Sequence, residues 1–165
     1  MKSSEKAMST KPTTHDRGGI WVAGQMALLA AIVLVPRRLP GLPEWPEPLR
    51  QPAVLAGLLV GGAGGLVALA GGRALGANLT PFPRPIEDGQ LVQDGIYSLV
   101  RHPIYTGILL AALGWALVRA SSPALLLSLV LALFFDRKAR REEAWLREQY
   151  PEYAEYAQRV RRRVW

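Results

Sequence analysis

Residues 103–135 read PIYTGILLAALGWALVRASSPALLLSLVLALFF, with Arg119 as the single charge in 33 positions. Crossing ~30 Å of hydrocarbon takes ~20 apolar residues, fewer where neighbouring helices shield a segment. Ser121–Ser122–Pro123 divides the stretch into two apolar pieces of about 16 residues each, which the spacing makes a tight helical hairpin. Arg119, next to the turn, is expected to snorkel toward a polar interface.

Residues 18–36 and 51–72 contain no charged residue at all. Both are long enough for a membrane helix, which gives about four membrane helices in one all-α, multi-pass bundle. Four such segments in 165 residues leave too little polar chain to cover them in water. The first stretch follows 17 polar residues and ends at Val35–Pro36–Arg37–Arg38 without a small-residue cleavage pattern, so it is expected to be retained. The net charge of +7 is segregated: Lys2, Lys6, Lys11 and Arg17 precede the first span, Arg73 follows the second, and Arg137, Lys138, Arg140 and Arg141 follow the fourth. An even number of spans puts these groups on one side, which makes both termini cytoplasmic. Basic residues in such positions meet membrane lipids rather than nucleic acid. The chain has no cysteine, which excludes disulfides, thiolate chemistry and cysteine-rich metal sites; no metal is expected.

Residues 1–17 read as a disordered polar tail, and residues 18–165 as one membrane domain. Residues 37–52, with six prolines counting Pro36 at the edge, are expected to be a stiff extended connector between helices over about 19–36 and 52–72. Residues 73–101 are polar and turn-rich. Residues 136–165 read as a charged helical tail on the cytoplasmic side, interrupted at Pro151. Gly61–Gly62–Ala63–Gly64–Gly65 is not a nucleotide loop: Val67 stands where a third glycine belongs, and no strand precedes it. Gly57, Gly61 and Gly65 recur every four residues, a small face against which another helix can pack closely.

The chemistry concentrates around His102. Gly95 permits a turn, and Pro103 suits the first position of a helix. Arg101 and His102 then stand at a helix N-terminus, whose free N–H groups favour anionic or carbonyl ligands. Tyr97 and Tyr105 flank them. Any one of these residues alone fits an interfacial anchor; together they make a site. A second cluster, Asp136–Arg137–Lys138–Ala139–Arg140–Arg141–Glu142–Glu143, taken alone is a solvated helix with pairs such as Lys138–Glu142. The hairpin returns the chain to the side it left, so His102 and Glu142, forty positions apart in sequence, can be neighbours.

The pattern Gly95-x-Tyr97, Arg101–His102–Pro103-x-Tyr105-x-Gly107, Glu142–Glu143-x-x-Leu146 and Tyr153-x-x-Tyr156 resembles the isoprenylcysteine carboxyl methyltransferase family, and the related phosphatidylethanolamine N-methyltransferases share much of it. The resemblance covers about residues 75–160, the expected catalytic region. It implies S-adenosylmethionine held without a Rossmann fold, in a pocket between the helical hairpin and the tail. By matching positions it implies that Gly89, Gln90, Leu91, Val92, Tyr97, His102, Pro103, Ile104 and Tyr105 line the cofactor, with Glu142 at its polar end. Lys138 stands where the prenylcysteine enzymes place an arginine toward substrate; Arg137 or Arg141 is the alternative.

Methyl transfer from a sulfonium is an in-line displacement that needs positioning and water exclusion more than acid–base groups. Arg101 and Glu142 are the expected catalytic pair. Glu142 binds the cofactor's ammonium or ribose hydroxyls, His102 and the helix N-terminus hold its carboxylate, and Arg101 orients the acceptor or that carboxylate. The acceptor is expected to be lipophilic, a prenylcysteine-type carboxylate or similar, entering from the bilayer. Two other readings are a phospholipid or small-amine N-methyltransferase and a non-enzymatic membrane scaffold. The first of these would need Glu142, Glu143 or His102 to accept the amine's proton.

Overall fold

A computed structural model describes residues 18–86 and 88–165. The residues proposed as a disordered tail, 1–17, lie outside the described residues. The described chain is helical: α1 (Gly19–Leu34), α2 (Glu47–Leu75), α3 (Pro103–Val118), α4 (Ser122–Gln149) and α5 (Tyr153–Arg159), with 3-10 turns at Gly76–Asn78 and Gly95–Ser98. The stretch Glu47–Asn78 is long and apolar enough to cross a membrane; α1 and α3 are shorter apolar helices. Leu55, Leu58, Leu59, Leu66 and Leu69 of α2 all remain exposed.

The hairpin turns where its serines stand. Ser121 caps α4, its hydroxyl accepting from Ala124 N at 3.3 Å, and Pro123 occupies the first turn, where a missing N–H costs nothing. The Arg119 guanidinium donates to the carbonyls of Val33 (3.1 Å) and Val35 (3.0 Å), capping the C-terminus of α1. Ile32, Ala112, Leu131 and Phe135 form the core in which α1, α3 and α4 meet. Tyr153, Tyr156 and Val160 form a second core beneath α5.

Three expectations are corrected. First, α2 begins at Glu47, inside the expected extended connector. Pro46 caps it, Pro48 lies in the first turn, and Pro52 interrupts only early rungs of the ladder. Second, α4 is one helix of 28 residues, so the last apolar segment and the charged segment after it are continuous; the break at Tyr150–Pro151 falls where Pro151 is expected to place it. Third, the close-packed glycine face of α2 runs through Gly57, Gly61, Gly64 and Gly71, whereas Gly65 faces open space. A strict four-residue spacing drifts around a 3.6-residue helix, and alternating steps of four and three keep the seam straight. Gly107 and Gly114 of α3 meet this seam: a methyl group on Gly107 would lie 2.5 Å from Ala68 N and Gly64 O. The seam fixes where α3 begins relative to the end of α2, and that junction is one wall of the cavity below.

Candidate active site

Between the ends of α2, α3 and α4 and the turn segment 79–92 lies a cavity of about 390 Å³. Its wall begins with Gly95, whose φ of +59° opens the 3-10 turn that buries Tyr97. The Tyr97 hydroxyl points to Gly71 O (3.5 Å), and its carbonyl accepts from Tyr156 OH at 2.8 Å. Burial, followed by the nearby Glu142 carboxylate, raises the Tyr97 hydroxyl far above the usual phenol range, so it stays a neutral donor. On the opposite rim Asn78 grips the backbone of Gln90 twice, accepting from its N–H at 3.1 Å and donating to its carbonyl at 3.2 Å. Gln149 ties α4 to the same rim by donating to Ile86 O at 2.7 Å.

The polar heart lies where α3 starts and α4 passes. His102, Tyr105 and Phe135 stack nearly parallel, with ring centroids 5.3 and 4.6 Å apart. The Tyr105 hydroxyl donates to Glu142 Oε2 at 2.6 Å, and His102 Nδ1 stands 3.8 Å from the same oxygen. Lys138, one turn earlier, is buried with its ammonium 5.1 Å from the Tyr105 ring centre. It donates to Gln25 Oε1 (2.6 Å) and Pro81 O (3.3 Å). Burial holds the Lys138 ammonium below its ordinary value, although Glu142 opposes this.

Behind this wall the two adjacent glutamates separate in role. Glu142 faces the cavity; Glu143 is fully buried and points away from it, toward cations. Its Oε1 accepts from Arg101 Nε (2.8 Å) and Arg163 Nε (3.0 Å), and His102 Nε2 lies 3.4 Å away. Burial alone would raise the Glu143 carboxyl, but His102, Arg163 and Arg101 together hold it well below the usual carboxylate range. Arg101 also donates to the carbonyls of Ala157 and Val160. Its guanidinium is committed to positioning α5 and Glu143, although Arg101 lines the cavity as well.

Of the residues expected from sequence, Gly89, Gln90, Leu91, Val92, Tyr97, Arg101, His102, Ile104, Tyr105, Lys138 and Glu142 line the cavity together. Pro103 is buried behind the wall and is not among the lining residues. Arg137 is exposed, away from the cavity, and contacts Leu133 O. Just ahead of the α3 N-terminus, the N–H groups of Arg101 and of the N-cap residue His102 donate to Arg162 O (3.0 Å) and Arg163 O (2.9 Å). Sequence reasoning missed Gln25, Asn78 and Arg163, and it named Tyr153 in the matched pattern without placing it in the cavity wall. Gln25 carried a signal, the lone amide in an apolar helix. Arg163 carried none, because its partners Asp136 (3.2 Å) and Glu143 are distant in sequence.

Tyr105→Phe keeps the ring stack and removes only the donor to Glu142. A hydrogen bond to a charged group contributes about 1.5–3 kcal/mol, so any ligand that uses the oriented carboxylate should lose tenfold affinity or more, roughly. Isothermal titration against the wild type reads this directly, and the melting temperature should change little.

No solved structure matches the chain. Over 76 residues it is 41% identical to a protein-S-isoprenylcysteine O-methyltransferase of Schizosaccharomyces pombe, covering 45% of this chain and 32% of that protein. Over 75 residues it is 39% identical to a cobalt-zinc-cadmium resistance protein of Cupriavidus metallidurans, covering 45% of this chain and 35% of that one. A nickel-cobalt-cadmium resistance protein of Alcaligenes xylosoxydans xylosoxydans is 29% identical over 148 residues, 89% of this chain and 63% of its own length. The chain thus matches about a third of the length of the first two relatives. The phospholipid methyltransferase family model matches residues 52–153, a span that holds both the Arg101–His102–Pro103-x-Tyr105 and the Glu142–Glu143 motifs. On that match, over more than half its length, the chain belongs to the phospholipid methyltransferase family.

Proposed function

We propose that the protein is an S-adenosylmethionine-dependent methyltransferase of the membrane, similar to the isoprenylcysteine carboxyl methyltransferases, which methylates a lipophilic acceptor. The observation that carries this reading is the convergence of Tyr97, His102, Tyr105 and Glu142 on one cavity at the junction of apolar and charged chain. The cavity suits the methyl donor: about 390 Å³ lies within the ~300–1,000 Å³ usual for small-molecule sites. It offers aromatic faces to a flat ring and one half-exposed carboxylate to an ammonium or to ribose hydroxyls. Tyr153, which lines the cavity, keeps a buried hydroxyl with no hydrogen-bond partner among the described residues, as a site that takes a polar ligand does.

When bound, the donor would supply a methyl group on a positively charged sulfur for in-line displacement. The chain's residues would position and desolvate. Glu142, oriented by Tyr105, would hold the polar end, while Gly89–Gln90–Leu91–Val92, fixed by Asn78, would form a backbone rim. His102 would present Nδ1 beside Glu142. Lys138, and not the outlying Arg137, would face the acceptor. Among the described residues its ammonium donates to two neutral oxygens and forms no ion pair, which favours a carboxylate acceptor over an amine. A carboxylate is already a nucleophile at neutral pH and needs no base.

About four helices, α1 to α3 and the apolar half of α4, would cross or enter the bilayer, with both termini cytoplasmic. The acceptor would then reach the cavity laterally. The description of the family as phospholipid methyltransferases favours N-methylation of a headgroup amine as the second reading. Incubating membranes holding the protein with methyl-labelled S-adenosylmethionine separates the two. The carboxylate reading predicts lipid-soluble label released as methanol by mild base. Base-stable label in an amine would establish the second reading, and no transfer at all would remove both.

A further inference from the structure

The segment after α5 turns back along the start of α3. Arg101 N donates to Arg162 O at 3.0 Å and His102 N to Arg163 O at 2.9 Å; the Thr106 hydroxyl donates to Val164 O. Val160 and Val164 are buried on the inner side of this strap, and Arg163 bridges Asp136 and Glu143 of α4. The outer side is different: Arg161, Arg162 and Trp165 are exposed, Trp165 to 68%.

Depth gives this outer side its meaning. Thr106 lies in the first turn of α3, where the charge-free apolar stretch begins. Tying Val164 to Thr106 sets Trp165 at the boundary between polar and apolar chain, where indole rings concentrate in membrane proteins. Arg161 and Arg162 stand beside it, and neither pairs with a carboxylate among the described residues. Two free guanidiniums and an exposed indole at that depth fit negatively charged headgroups, each basic residue contributing attraction near such a surface. The backbone of the same residues holds Arg101 and His102.

We propose that residues 161–165 form a docking surface for anionic lipid headgroups, whose occupancy steadies the amides of Arg101 and His102 at the cavity wall. This rests on the membrane reading above and not on methyl transfer. The test is hydrogen exchange, read by mass spectrometry, of the full chain in nanodiscs of phosphatidylcholine alone or mixed with phosphatidylglycerol. Phosphatidylglycerol should slow exchange in peptides covering residues 99–106 and 160–165 by about fivefold, an effect that shrinks in high salt. It should leave residues 124–135 unchanged. In the Arg161→Gln/Arg162→Gln double variant the lipid response should disappear. Equal exchange of the wild type in both lipids would overturn the proposal without need of any variant, as would a full response in the double variant. The readout uses no methyl donor, so failure of the methyltransferase reading leaves this result interpretable.

Discussion

Glu143→Ala should be the most damaging single substitution in the chain. Glu143 is fully buried, and one of its oxygens takes hydrogen bonds from Arg101 and Arg163 with His102 close by. Deleting the carboxylate leaves buried guanidinium charge without its counterion, a change that costs about 3–5 kcal/mol in comparable sites. The same change frees α5 and the strap, whose anchors Arg101 and Arg163 share that oxygen. Thermal unfolding in detergent should show a large drop in midpoint or no folded protein; a melting curve within a degree of wild type would contradict the hub.

The sign of the pH dependence is fixed. The folded carboxyl lies below its unfolded value, so its contribution is complete above the ordinary carboxylate range, about 4, and is lost as pH falls through the folded value. Glu143→Gln keeps the shape without the charge. Its difference from wild type should therefore be constant from neutral pH down to mild acid and should narrow only in strong acid. Glu142→Ala offers the contrast: its partner in the wall is the neutral Tyr105 hydroxyl, so folding should tolerate it.

The second large effect is expected at the helix seam. A side chain on Gly107 would meet the backbone of Gly64 and Ala68 at 2.5 Å, and backbone cannot rotate away as a side chain can. Gly107→Val should force α3 off α2, with a loss above the ~1–3 kcal/mol typical of overpacking. Because α3 begins four residues before Gly107, the displacement also reaches His102 and Tyr105. Gly62→Ala and Gly65→Ala serve as controls: both positions face open space, and alanine favours helix over glycine. Their melting temperatures should hold or rise slightly. Equal damage at Gly65 and Gly107 would mean that the seam runs elsewhere.

These residues also show what a sequence reveals. Charge segregation and the Ser121–Ser122–Pro123 break suffice for the α3–α4 hairpin, because apolar length and a helix cap are local properties. The meeting of His102 with Glu142 follows from that hairpin by topology. The division of labour between Glu142 and Glu143 does not follow, since adjacent helical residues point about 100° apart and only the surroundings decide which faces the cavity. Those surroundings include Arg163, brought in by a strap whose hydrogen bonds span some sixty residues. For the same reason the strap's carbonyls, which take the N–H groups of Arg101 and His102 just ahead of α3, leave no trace in the local sequence. The glycine seam was legible in kind and missed in register, because Gly65 and Gly64 differ by one position and the partner helix selects between them.

The central claim is that the cavity bounded by His102, Tyr105 and Glu142 holds S-adenosylmethionine. Calorimetric titration of the purified, folded protein with S-adenosylmethionine tests it most directly, with Glu142→Ala and His102→Ala alongside. Saturable one-site binding to the wild type is expected, with clear weakening in both variants and Glu142→Ala still folded. No binding to folded wild type, or affinity unchanged in both variants, would contradict it.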